Sequence, residues 1–342
     1  MSSSSSNVDE TESNTEIAEV FRSKAINFPP LLRHTLGFAH TRSMVEIFQI
    51  RIDKFDDTAR RGELYGDVQV VDIDYTHTLY HRDRATSEHI RANSNISLQG
   101  PNRAIDLMIN FAVNIDLRLC GEVEDVVSKW QLSWTALKPE IAHITRGPFL
   151  KDFCHQPNML TSQTKDKHEF AGYEQPLSAT FEEDNGCCVT MFYAILEHAV
   201  IASIQVRVID KNVVPLSSKY QVRGTIFASY SHFEVGDDSV IKEECKTTIF
   251  KTSDFKSVKA EHGKKLELSR WVVAVPAYSS LIIEADLWDT DSSIKIAEGK
   301  LECLASNMNL LADYILGYNN LAIEVMVCWV YGGSEIPEAY RN

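Results

Sequence analysis

Glycine is scarce in this chain, 15 residues in 342. None is arranged as G-x-x-x-x-G-K or G-x-G-x-x-G, the loops whose backbone N–H groups cradle phosphates, so phosphate-loop chemistry has no support. G-x-S-x-G is missing too, and no cysteine stands in a Gly-rich strand-to-helix setting, which removes the usual nucleophile signatures. No apolar run reaches the length that spans a bilayer as a helix. Positive charge is short: 34 Lys and Arg stand against 48 Asp and Glu, a net charge of −14. That field repels nucleic-acid phosphates and anionic lipid, so no DNA partner is expected, and the lack of a long apolar run leaves no membrane span expected. The densest basic run, Lys256, Lys259, Lys264 and Lys265, is diluted by Glu261 and reads as a solvated loop.

There is also no CxxC pair. The seven cysteines (Cys120, Cys154, Cys187, Cys188, Cys245, Cys303 and Cys328) are odd in number, and two of them are adjacent. They read as reduced thiols of an intracellular protein, cytoplasmic or nuclear, and not as a disulfide framework. The polar, acidic start MSSSSSNVDETESNTE has no apolar core and reads as a disordered tail over 1–15, not a secretory signal.

What is present is alternation. A short helix is expected at EIAEVFRSKAI, with Ile17, Val20 and Phe21 at helical spacing. Pro29 and Pro30 then end it, giving a helix and arm over 16–43. From Met44 the period changes to two. Ile109, Phe111, Val113, Ile115, Leu117 and Leu119 share one face of a strand, as half-buried antiparallel strands require. The same pattern fills 44–139, a first β unit, and 187–332, a second, with 333–342 as a closing tail. Residues 140–186, rich in turn formers, read as an irregular linker with at most one short strand, and 307–318 as a helical turn or two. The fold expected is all-β, two antiparallel sandwich-like units, with a C2-like form as one option.

The two units align. Residues 96–119 lie over 266–289 without a gap, and Phe111, Val113, Ile115 and Leu117 meet Leu281, Ile283, Ala285 and Leu287. Upstream, Gln49-Ile-Arg-Ile matches Gln205-Val-Arg-Val, and Tyr65-Gly66 falls near Arg223-Gly224. This points to an internal duplication. At one bend the copies differ: Gln99-Gly100-Pro101-Asn102-Arg103 stands where the second has Ser269-Arg270-Trp271-Val272-Val273.

VEIFQIRI, YHRDRATSE, LQGPNRAI followed by VNIDLRLCG, then LSRWVVAV and VMVCWVY, resemble a plant domain-of-unknown-function family, number 6598, abundant in grasses. The resemblance covers residues 44–331, and its most specific part is Leu-x-Gly-Pro-x-Arg-Ala/Val. Some relatives carry the domain beside a ribosome-inactivating N-glycosylase domain, as in jasmonate-induced cereal proteins. The resemblance therefore implies a stress or defence setting, and it implies no catalytic residues. Around 71–75 the family pattern has Arg-Asp, where this chain has Val71-Asp72-Ile73-Asp74.

Candidate chemistry is thin. N-glycosylase chemistry needs a buried Glu and Arg one helical turn apart. The only similar string, Glu338-Ala339-Tyr340-Arg341, follows Gly332-Gly333 and Pro337 at the end of the sequence with no helix to hold it. His77 and His81, with Asp83 and His89, could share zinc on a helix. On a strand the pair lies about 13 Å apart. Cys154-His155 is a lone pair in a loop. Asp286, Asp289 and Asp291 follow a strand as calcium-binding loop carboxylates do. Asp53, Asp56 and Asp57 belong to the other unit, and the second offers only Asp210 at the matching point. Arg82 and Arg84 are expected on one strand face, either as an anion or partner patch or as cross-strand pairs to acids such as Glu46 and Asp67. Arg103 either pins its bend through a salt bridge or carbonyl contact, or recognises an anion or partner. No cofactor is expected. The reading is a non-catalytic binding module with a protein partner; the alternatives are a ribosome-inactivating protein and a C2-like calcium or lipid binder.

Overall fold

A computed structural model describes residues 41–55, 61–72, 75–107, 110–120, 125–135, 141–146, 167–169, 176–210, 219–231, 244–252, 256–277, 279–305, 310–318 and 320–330. The expected tail, residues 16–40 of the expected helix and arm and the closing tail lie outside these, as do Asp56, Asp57, Cys154, His155, Glu338 and Arg341, while the end of the expected arm, Arg42 and Ser43, opens the first strand.

The chain runs β1 (Arg42–Lys54), β2 (Arg61–Val71), β3 (Thr76–Arg82), β4 (Glu88–Arg91), β5 (Ser94–Asn95), β6 (Ile105–Asp106) and β7 (Asn110–Leu119). It continues with β8 (Asp125–Thr135), β9 (Ile141–Arg146), β10 (Lys167–Glu169), β11 (Pro176–Glu182), β12 (Cys188–Asp210) and β13 (Lys219–Tyr230). Last come β14 (Thr247–Lys251), β15 (Val258–Glu261), β16 (Val272–Pro276), β17 (Ser280–Asp289), β18 (Ile294–Leu304), β19 (Leu310–Leu316) and β20 (Leu321–Val330). Two expectations give way here. Residues 307–318 hold strand β19, which pairs with β20 and buries Ile315 between exposed Tyr314 and Leu316, in place of a helical turn. Residues 140–186 hold three strands; β11 lies along β12 and buries Ala179 and Phe181.

The strands form three antiparallel sheets. A central sheet runs β19-β20-β12-β1-β5, with β11 and β16 on β12 and β6 on β1. A first outer sheet runs β10-β9-β8-β7-β2-β3 with β4 on β2, and a second runs β14-β13-β17-β18 with β15 on β13. Each outer sheet buries its apolar face against a different face of the central one, because period-two alternation sends neighbouring residues to opposite sides. On β12, Val189, Met191, Tyr193 and Ile195 enter the first core, with Leu64, Val68, Val113, Ile115 and Leu117. Phe192, Ala194, Leu196, Ile204, Val206 and Val208 enter the second, with Val222, Ile226, Leu281, Ile283 and Leu287.

The duplication is written in the hydrogen bonds. Asn93 N donates to Ile52 O at 2.7 Å, and Gly263 N donates to Val208 O at 2.9 Å. Ile96 N reaches Ile50 O at 3.0 Å, and Leu266 N reaches Val206 O at 2.7 Å. Leu107 N to Ser43 O and Ala277 N to His198 O repeat at 2.9 and 2.8 Å, and Cys120 N to Glu63 O and Thr290 N to Gln221 O both at 2.9 Å. Gly66 and Gly224, at φ 122° and 137°, sit where a Cβ would collide with the backbone carbonyls of Asp116 and Asp286, so both copies need glycine there. The second unit thus repeats these pairings of the first, while β9 and β10, which extend the first outer sheet beyond β8, have no counterpart beyond β18 among the described residues. The first half of β12 closes one copy and its second half opens the next.

Candidate functional site

The bend of the first copy begins where Gln99 N donates to Leu79 O at 2.6 Å and Gly100, in the left-handed region at φ 68°, donates its N–H to Ser269 O at 2.9 Å. The two equivalent bends therefore touch each other. The Gly100–Pro101 peptide is cis. Beyond it Arg103 lays its guanidinium over the ring of Tyr75, 3.7 Å from the centroid. Tyr75 is 51% exposed. Asp72 holds this corner: its Oδ1 accepts Tyr75 N at 2.8 Å, and its Oδ2 accepts Asp106 N at 3.3 Å and pairs with His77 Nε2 at 2.9 Å. Asp106 in turn pairs its Oδ2 with Arg42 at 3.1 Å, while its Oδ1 is buried with no partner among the described residues. Among those residues no hydrogen bond or ion pair engages Arg103. Among the described residues the salt bridge or carbonyl contact considered from the sequence is not found, and the contact seen there is stacking, which uses the face of the guanidinium and not its rim of N–H donors.

The other predicted residues disperse. Arg82 ends β3 opposite Gly66, and Arg84 opens a 3-10 turn, Arg84–Thr86, so the strand alternation expected to put both on one face stops between them. The acids proposed as their partners are engaged elsewhere. Asp67 pairs with His81 Nδ1 at 2.8 Å, raising the imidazole pKa above its ordinary 6.5, and Glu46 is buried. A bulge in the β2–β3 pairing, between Val68 and Gln69, breaks the alternation along β3: His77 is buried against Asp72 and His81 stands in solvent. His89 pairs with Glu63 at 3.0 Å.

The three aspartates near the β17–β18 hairpin do not converge either. Asp286 pairs with Lys295 at 3.4 Å. Asp289 is buried, and its carboxylate accepts Gln221 N at 2.9 Å, Ser292 N at 3.2 Å and Ser292 Oγ at 2.5 Å. Asp291 is exposed at the tip. Asp53 is held by Arg51 and Thr190, both at 2.5 Å, and Asp210 accepts Tyr220 OH at 2.9 Å. Among the described residues no group of three or more His, Cys, Asp or Glu is placed to hold a metal ion. The hairpin does shape an open cavity of about 400 Å³, lined by Arg223, Trp288, Asp289, Thr290 and Ser293.

One pair escaped the sequence reading. Arg270, 1% exposed, donates through Nη2 to Glu46 Oε1 at 2.8 Å and through Nη1 to Ile47 O at 2.5 Å. Thr247 Oγ1 and Ala274 N complete the Glu46 carboxylate at 2.9 and 3.0 Å. Burial pushes the Glu46 carboxyl above the ordinary carboxylate range, and Arg270 opposes it. A buried pair with nearly every atom satisfied ties β1 of the first copy to β14 and β16 of the second. No described thiol is in a disulfide, and burial pushes Cys245 and Cys303 up to about 12, so neither supplies a ready thiolate.

A family model described as "Domain of unknown function (DUF6598)" matches residues 44–314. No curated protein matches the chain. Among solved structures, Extended-Synaptotagmin 2, with its SMP domain and its pair of C2 domains, is 8% identical at a TM-score of 0.25, covering 85% of this chain and 57% of that one. Human GIVD cytosolic phospholipase A2 is 7% identical at 0.25, covering 87% and 33%. The calcium-bound pair of C2 domains from Extended-Synaptotagmin 2 is 9% identical at 0.21, covering 86% and 98%. The chain thus spans a little over half of the first structure and a third of the second, and at these TM-scores the likeness carries no argument.

Proposed function

As the chain belongs to the Domain of unknown function (DUF6598) family, we propose that it is a non-catalytic binding module of a plant stress- or defence-associated family, and that its partner is a protein. One observation carries the binding reading: Arg103 stacked on the exposed Tyr75, with its N–H rim unused by any described residue. An arginine fixed by an aromatic ring has already lost much of its rotamer freedom. It therefore gains more from each hydrogen bond it makes to a carboxylate or phosphate than a free one would. The plant and stress setting rests on the sequence resemblance alone.

Fluorescence anisotropy against a library of acidic and phosphorylated peptides tests this. Arg103→Ala is expected to weaken the best peptide at least tenfold, about 1.4 kcal/mol. Arg103→Lys is expected to rescue little, since an ammonium has no planar fork to stack. Failure of every peptide with the unaltered chain, or indifference to Arg103→Ala, overturns the proposal. Release of adenine from ribosomes, abolished by Glu338→Ala and Arg341→Ala, would instead establish the N-glycosylase alternative. For the calcium alternative, millimolar calcium is expected to leave Tm unchanged, because Asp286 and Asp289 are already engaged by Lys295 and by backbone N–H groups.

A further inference from the structure

The β17–β18 hairpin shapes a site that the Arg103 corner does not touch. Strand register sets Arg223 opposite Trp288, and Trp288 opposite Lys295, as one row across the outer face of the second outer sheet. Cross-strand neighbours stand close enough for their side chains to meet. The indole of Trp288 is 37% exposed, and the Lys295 ammonium sits 4.4 Å from its centroid. Lys295 is itself neutralised by Glu298 at 2.6 Å and Asp286 at 3.4 Å. At the end of this row lies the cavity of about 400 Å³, with Arg223, Trp288, Asp289, Thr290 and Ser293 around it.

The lining decides the chemistry. Asp289 disfavours an anion and Arg223 disfavours a metal cation, and the acidic net charge adds to the first of these. What suits an aromatic wall, a guanidinium donor, a carboxylate acceptor and two hydroxyls is a neutral ring bearing many hydroxyl groups and one apolar C–H face. Each hydroxyl both donates and accepts, so it can meet Arg223, Ser293 and the acceptor capacity left on Asp289 Oδ1. The C–H face lies on the indole, whose size and rigidity supply contact area at small entropic cost. Asp289 is a firm wall because its three hydrogen bonds to Gln221 and Ser292 fix its rotamer. We propose that this cavity binds a neutral saccharide, one or two rings in size, with Trp288 as platform and Arg223 as the orienting donor.

Saturation-transfer NMR with a panel of neutral mono- and disaccharides, and with inorganic phosphate and calcium chloride as charged probes, tests it on the full chain. Expected is binding of at least one saccharide with Kd on the order of 1 mM or tighter, abolished by Trp288→Ala and weakened at least fivefold by Arg223→Gln. Trp288→Phe is expected to retain part of the affinity, and Tm is to be recorded for each variant to show that it is folded. Ser293→Ala, at the exposed turn, supplies a second variant that leaves the sheet untouched and is expected to weaken binding two- to threefold. No saccharide bound at about 10 mM, binding unchanged in folded Trp288→Ala, or displacement of the sugar by phosphate or calcium overturns the proposal.

Discussion

Arg103 and Arg270 stand at the same bend of two copies of one design, and their fates are opposite. In the second copy the bend turns inward: Arg270 is sealed between the sheets with Glu46 as counter-ion. In the first it turns outward, where Arg103 lies on an exposed ring with its donors unused by any described residue. The bends also touch, through Gly100 N and Ser269 O. Both bends therefore take part in joining the copies, the second through a buried side chain and the first through its backbone, which leaves the side chain of Arg103 on the outside.

Breaking the inward bend has the largest expected effect. Arg270→Ala leaves Glu46 buried without its counter-ion, and is expected to cost about 3–5 kcal/mol in urea unfolding. Replacing both partners, as Glu46→Leu with Arg270→Met, is expected to recover most of that loss; failure to recover would mean that the pair does more than satisfy itself. Next come the twin glycines. Gly66→Ala and Gly224→Ala each force a Cβ onto a carbonyl at positive φ, and each is expected to cost about 2 kcal/mol or more. Losses that differ by more than about 1 kcal/mol would show that the copies no longer lean equally on this contact. Arg103→Ala is expected to change stability by no more than about 1 kcal/mol, the worth of an exposed cation–π contact. That leaves a contrast of severalfold between the two bends.

The smallest effect is a titration. Asp67 raises the His81 pKa above 6.5, so the folded state holds that proton more tightly than the unfolded one. The stabilisation is full below the unfolded pKa and fades as pH rises through the folded one. The urea midpoint is expected to fall slightly from about pH 6 to about pH 8, and Asp67→Asn to flatten that slope. A midpoint that rises over the same range would contradict the pairing.

The strands of β7 and β17 were legible because each buries one face, and their alternation aligned without a gap. Glu46 was misread for the same reason. It lies between Met44 and Phe48, which enter the second core while Val45 and Ile47 enter the first, and a lone carboxylate on a strand is normally wet. Here that side is covered by the second outer sheet, where Thr247 of β14 bonds the carboxylate. A third layer cannot be seen by reading one strand at a time. The β2–β3 bulge is equally silent in sequence, and it is what separated His77 from His81. Arg103 stands out in the sequence because its aligned position holds Val273, yet its partner Tyr75 comes from the turn before β3, and nothing in the local sequence joins the two.

Strand β12 gives the molecule an unusual seam. Its residues 188–196 pair with β1, and 201–210 pair with β20, in one unbroken strand. Cutting the gene near codon 198 would leave each fragment missing a strand that the other carries. Neither fragment is expected to fold alone, while co-expression is expected to reassemble them, much as a split reporter is restored by its halves. Separating the two units therefore means dividing a strand that both of them use.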